Sequence, residues 1–144
     1  MDEPIQVLAG TGGVALGEAR TNHDGRKAVL LHRDGNPSEL IALAETMGIE
    51  ILDVQYQKGV EDPRSYFGKG RLQDAADEIS SAVKGHPWYG VDLVIIHSNA
   101  SARQLVNIHE CVQVEVWDRV RLLLSLFISY LASRFWLRIS YSQH

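Results

Sequence analysis

Cysteine is almost absent from this chain, with Cys111 alone among 144 residues. A single cysteine excludes an intramolecular disulfide framework and suits a reducing compartment. Long apolar runs are missing too. The longest uncharged apolar run, from Leu122 to Ser133, has twelve residues, against the roughly 20 that a membrane-spanning helix needs. The N-terminus, MDEPIQ, holds two acids and no basic segment, so a secretory signal is not expected and a cytoplasmic location is. Metal-ligand pairs are lacking. There is no C-x-x-C and no H-E-x-x-H, and His109-Glu110-Cys111 has no second pair at usable spacing, so no metal site is expected. Positive charge is not in excess. Lys and Arg number 14 against 18 Asp and Glu, a net of −4, which is no signature of a DNA-binding protein.

What is present is an ordinary globular composition, 45% hydrophobic and 22% charged. The length suits one domain with one core. The charge is unevenly spread. All the acids lie before residue 119, whereas Arg119, Arg121, Arg134 and Arg138 stand in the last 26 residues without any acid.

Residues 1–26, rich in Gly, Asn and Asp, read as a flexible leader. Residues 27–32 (KAVLLH) form a short apolar run, expected to be a buried strand. Asn36 and Pro37 open a helix carrying Leu40, Leu43, Ala44 and Met47, with Gly48 as its natural stop. Residues 49–57 alternate as a strand, and residues 58–70 form a loop. A helix follows from Arg71, with Leu72, Ala75, Ala76, Ile79 and Val83 on one face. Residues 92–97 (DLVIIH) make a third strand. Ser101 and Gln104 form a capping box, residues 112–117 a fourth strand, and Asp118 caps a last helix. Strict β-α alternation calls for parallel pairing, because a parallel crossover needs a helix-sized connection. The expected fold class is therefore α/β, an open three-layer sandwich with a mainly parallel four-stranded sheet. Ligands in such folds sit outside the carboxyl ends of the strands.

The densest candidate site is the stretch DPRSYFGKGR. Arg64, Lys69 and Arg71 can meet phosphate, Tyr66 and Phe67 can stack on a base, and Gly68 and Gly70 let the backbone approach an anion. The alternative is a solvated loop that covers the sheet edge. Gly10-Thr11-Gly12-Gly13-Val14-Ala15 meets a loose dinucleotide pattern, but the helix after it would be very short, so a flexible leader is the favoured reading. No catalytic residue set is readable from spacing.

Four motifs in order carry a resemblance. Asp62-Pro63-Arg64-x-Tyr66-Phe67-Gly68-Lys69-Gly70-Arg71 resembles the D-P-R-x-Y-[IF]-G-K-G-K stretch of the HflX-type GTPases. Residues 92–96 (DLVII) resemble their D-L-V-I-F strand. Ser101-x-x-Gln104-Leu105-x-Asn107-Ile108 resembles their S-x-x-Q-x-R-N-L helix. Val114-x-Val116-x-Asp118-Arg119, with Leu123, Leu126 and Phe127 beyond it, resembles their V-x-V-x-D-R segment. The resemblance covers residues 27–131 and implies the N-terminal α/β domain of ribosome-splitting GTP-binding proteins. It implies the large ribosomal subunit and its rRNA as partner, with Gln104, Asn107, Asp118 and Arg119 as secondary site residues. GTP and Mg serve the full-length family.

The chain departs from that family at His97, where an acid is usual, and at Val106, where Arg is. G-x-x-x-x-G-K-[ST], D-x-x-G and N-K-x-D do not occur. Residues 132–144 form an atypical apolar and basic tail, with Phe135, Trp136, Leu137, Ile139 and Tyr141, which reads as a truncation scar or shifted frame. On these grounds the chain is expected to be no enzyme and to hold no cofactor of its own. Two other readings stand beside the ribosomal module. One is a purine-nucleotide-binding α/β module. The other is an interaction module that self-associates through the apolar C-terminal helix.

Overall fold

The computed structural model describes residues 22–142. The glycine pattern at residues 10–15 lies outside them. Eight elements alternate without exception: β1 (Lys27–His32), α1 (Ser38–Thr46), β2 (Glu50–Tyr56), α2 (Lys69–Ser81), β3 (Val91–Ile96), α3 (Ala102–Val112), β4 (Glu115–Trp117) and α4 (Arg119–Ser142). The strands pair in parallel in the order β2-β1-β3-β4. α2 and α3 cover one face, α1 and α4 the other. This is the α/β three-layer sandwich that the alternation predicts.

β1 shows why its residues run apolar without alternation. It lies between β2 and β3 with both faces covered, and Ala28, Val29, Leu30 and Leu31 are wholly buried. Val29 and Leu31 pack toward α2 and α3, Ala28 and Leu30 toward α1 and α4. β2 is an edge strand and keeps its alternation. Its register skips Leu52, so Ala28 pairs with Ile51 but Val29 with Asp53. Gly48 ends α1 at φ +80, and a Cβ there would come within 2.8 Å of the Asp24 Cα, so only glycine fits.

Three local expectations are corrected. Residues 112–114 are not strand. Val112 closes α3 on the same buried face as Leu105 and Ile108, and Gln113 at φ 61 turns the chain out of the helix, leaving β4 only three residues. The helical spacing of those three residues outweighs the local alternation of residues 112–116. α2 starts at Lys69 rather than Arg71, with Gly68 as its N-cap. The end of the Gly-rich leader is packed, because His23 and Arg26 are both buried. α4 runs on without interruption past residue 131.

Arg26 has a clear reason to be inside. The amino ends of β3 and β4 bring Asp92 and Glu115 together. Arg26 bonds Asp92 at 3.2 Å and Glu115 at 2.9 Å, with its guanidinium 5.6 Å from the Trp117 ring centroid. Burial pushes the Glu115 carboxyl up, but the Arg26 charge and the hydrogen bonds from the Trp117 indole and from Arg26 outweigh it. Its pKa is held below the ordinary value. A carboxyl with a depressed folded pKa adds stability above its unfolded pKa of about 4.3 and loses it as pH falls through the folded pKa. Glu115→Gln should therefore flatten the dependence of stability on pH below about 4.3, read by urea unfolding at a series of pH values. Arg26→Met should cost about 2–3 kcal/mol at pH 7, less than the full loss of a buried pair because the carboxylates it abandons are partly exposed.

Candidate functional site

The chain leaves β1 for β2 on one side and reaches β3 on the other, so the topological switch point lies beyond the carboxyl ends of β1 and β3. Arg33 and Asp34 follow β1 there, and His97 and Ser98 follow β3. The crevice is not empty. The Tyr66 hydroxyl, from the loop between β2 and α2, accepts from the Arg33 backbone N–H at 3.1 Å and donates to the His97 carbonyl at 3.3 Å.

The sequence of that loop explains its shape. Asp62 and Tyr66 exchange two backbone hydrogen bonds, making a tight antiparallel bridge. Pro63 presets its own φ inside the turn, and the Asp62 carboxylate accepts from the Arg64 and Ser65 N–H groups. Tyr66 pays for the turn with φ 65, a left-handed conformation costing a β-carbon roughly 1–2 kcal/mol. Its buried hydrogen-bonded phenol and the Phe67 ring stacked 5.7 Å away hold it there.

Arg33 anchors the loop from β1. Its Nη1 donates to the Tyr66 carbonyl and to Gln57 Oε1, both at 2.9 Å, and its Nη2 donates to the Lys58 carbonyl at 3.3 Å. Gln57 Oε1 also accepts from the Gly68 N–H at 2.7 Å, and a Cβ on Gly68 would lie 2.9 Å from Gln57 Nε2. The first glycine of the Gly-Lys-Gly motif thus leaves room for the Gln57 amide to sit against the loop. α3 grips the other side. Gln104 completes the capping box and donates to Glu61 Oε1 at 3.0 Å and the Asp62 carbonyl at 2.8 Å. Asn107 donates to the Arg64 carbonyl at 2.8 Å.

The candidate residues therefore divide. Tyr66 and Phe67 are each 1% exposed, so the expected platform for a stacking base is not presented; the hairpin buries both rings against the sheet. Gln104 and Asn107 hold the hairpin. Asp118 is buried and accepts from the Ala100 and Arg121 N–H groups, while Arg119 pairs with Glu39 at 3.2 Å. Arg71 is half-buried, donates to the Tyr56 carbonyl, and lies 5.6 Å from the Phe67 centroid. Arg64 and Lys69 are exposed, and neither side chain has a hydrogen bond or ion pair among the described residues. Gly70 has open space beside it. The first turn of α2 holds Lys69 and Arg71 and no acid, so cations stand where the helix dipole favours an anion.

The roles of Arg33, Gln57 and Glu61 carry no motif and are not read from the sequence. The available signal was position, since Arg33 and Gln57 come straight after strands. A second feature is the facing pair His32 and His97, with ring centroids 5.4 Å apart. Burial, then His97, lowers the His32 pKa against the opposing pull of Asp34. Among the described residues no group of three or more His, Cys, Asp or Glu could hold a metal, and no helix is long and apolar enough to cross a membrane.

A family model described as GTP-binding GTPase N-terminal matches residues 35–128, more than half of the chain. The chain belongs to that family. It is 32% identical over 92 residues to the GTPase HflX of Caldanaerobacter subterraneus subsp. tengcongensis, a match covering 62% of this chain and 20% of that protein. Two solved structures share its fold. A GTP-binding protein from the hyperthermophilic archaeon Sulfolobus solfataricus, in complex with GDP, superposes with TM-score 0.56 at 19% identity, over 71% of this chain and 30% of that one. The SsGBP and GDP complex superposes with TM-score 0.58 at 21% identity, over 71% and 28%. The chain spans about a fifth to a third of these relatives' length.

These likenesses overturn two expectations, that the chain is no enzyme and that it takes no cofactor. Both rested on missing GTPase motifs. Proteins carrying this fold were captured with GDP, so the missing motifs are no ground for excluding nucleotide. The carboxyl edge of a parallel sheet and the helix starts beside it can meet phosphate without a P-loop.

Burial raises the Tyr66 pKa to about 12, against its bond from the Arg33 N–H. The folded state keeps the phenol protonated while the unfolded chain ionises near pH 10, so stability should fall between about pH 10 and 12. Tyr66→Phe should lose about 1–2 kcal/mol at pH 7 by leaving the Arg33 N–H unpaired, and should remove that alkaline limb. Chemical denaturation at pH 7, 10 and 11.5 checks both.

Proposed function

We propose that this chain is a nucleotide-linked module of the GTP-binding GTPase N-terminal family. It takes a purine nucleotide by its phosphates at the opening of α2. The observation that supports this most is the unpaired cationic set there. Lys69 is exposed at the positive end of α2 beside the open Gly70, Arg64 stands exposed on the hairpin before it, and no acid occupies the first turn. The GDP held by proteins of the same fold supports the ligand class. Titration calorimetry of the whole chain with GTP, GDP and ATP plus Mg tests it. Binding is expected, and Arg64→Ala with Lys69→Ala should weaken it about tenfold or more, since each 1.4 kcal/mol of lost phosphate contact is tenfold. No heat with any nucleotide at millimolar concentration removes the reading. Phosphate release from GTP in the same samples separates a binding module from a hydrolase.

A second reading uses the same cations. The family likeness to HflX favours the large ribosomal subunit, with Arg64 and Lys69 meeting rRNA phosphates in place of nucleotide phosphates. Co-sedimentation with large subunits over a salt series should then show the double alanine variant binding more weakly and with a shallower salt slope, by about one unit for each lost phosphate contact. Arg71 stays unchanged in that test, because it also fastens the loop to β2. Equal binding by variant and wild type sinks this reading and leaves the nucleotide titration standing.

A further inference from the structure

Over residues 119–135, where its side chains are described, α4 buries one face. Leu122 and Ser125 pack inward. On the opposite side Val120, Leu123, Phe127, Tyr130, Leu131 and Phe135 are 56%, 40%, 58%, 55%, 49% and 62% exposed. Their spacing of three and four residues lines them up along one stripe of the helix. Sixteen residues separate its ends inclusively, a length of about 24 Å. A lone exposed apolar residue needs no explanation, but a continuous stripe does.

We infer that this stripe is the contact surface for a second copy of the chain, with the two α4 helices packed antiparallel across a two-fold axis at Phe127. Area supports it. A fully exposed aromatic side chain offers about 150–250 Å², so six large residues about half exposed present on the order of 600 Å². Two such stripes together remove on the order of 1,200 Å², the low end of stable interfaces. The three-four spacing is also the one by which two helices interlock side chains.

Charge favours the antiparallel direction, because it brings Arg134 toward the end of α4 where Glu39 lies rather than onto a second Arg134. From Leu122 to Ser133 the helix carries no charge, so nothing repels a second copy along the middle. Arg134 is exposed and lies 5.8 Å from the Tyr130 centroid. In a parallel pair, Arg134 would face Arg134. In an antiparallel pair centred on Phe127, each Arg134 falls beside Val120 of the other copy, between Arg121 and an Arg119 that the exposed Glu39 already pairs at 3.2 Å. An anionic membrane is disfavoured because the described body that carries the helix holds an excess of acids over cations before residue 119.

Sedimentation equilibrium of the full chain should show a dimer that dissociates on dilution. Phe127→Asp places two carboxylates on the axis and should give a monomer with unchanged circular dichroism, since Phe127 is outside the core. In a Cys111→Ser background, oxidation of a Val120→Cys and Arg134→Cys mixture should cross-link the two chains, and Val120→Cys alone should not. A monomer at all concentrations, a dimer untouched by Phe127→Asp, cross-linking of Val120→Cys to itself, or binding to phosphatidylserine vesicles without self-association overturns the inference.

Discussion

One phenol holds the carboxyl edge of this protein together. The Tyr66 hydroxyl joins the backbone after β1 to the backbone after β3, at the place where the strand order reverses. Both partners are main-chain groups immediately beyond the two central strands, so the loop must come to them. That forces Tyr66 into its left-handed conformation and draws the hairpin under Arg33, Gln57 and α3. Phe67 then lies between two guanidinium groups, Arg33 at 5.9 Å and Arg71 at 5.6 Å from its centroid. The edge becomes a closed, hydrogen-bonded surface. What it leaves outside is the cationic opening of α2.

Charge is sorted by the same logic of burial. At the amino edge, Arg26 is inside because two carboxylates meet it there, with an indole beneath it. At the carboxyl edge, Arg33 is inside because carbonyls and an amide oxygen receive it. Each buried cation has oxygen partners for both of its terminal guanidinium nitrogens or for its Nε, though the Arg33 Nε itself meets none. Arg64 and Lys69 lack such partners and stand in water. The division between structural and available cations is thus a matter of which carbonyl ends the fold places within reach.

Much of the fold was legible from the sequence. KAVLLH and DLVII read as doubly covered strands because a central parallel strand has no polar face. Ser101 and Gln104 read as a capping box because only backbone within three residues is involved. Val112 misled because alternation over five residues is also compatible with the last turn of a helix, and the packing of α3 against the sheet settled it. The site was less legible. Tyr66 and Phe67 looked available for a base because an aromatic between glycines and cations fits either an open or a closed loop. The double duty of Gln104, capping α3 while gripping Asp62 forty-two residues earlier, has no local signature.

The sequence by itself determined the alternation of elements, the parallel sheet, the caps of α3 and α4 and the membership of a GTP-binding family. These follow from residue spacing and from motifs, which act over a few positions along the chain. Only the tertiary structure decided which cations are occupied, which aromatics are hidden, and which side of α4 has no cover. Those depend on where groups far apart in the chain meet, and on whether each polar group finds a partner once water is excluded.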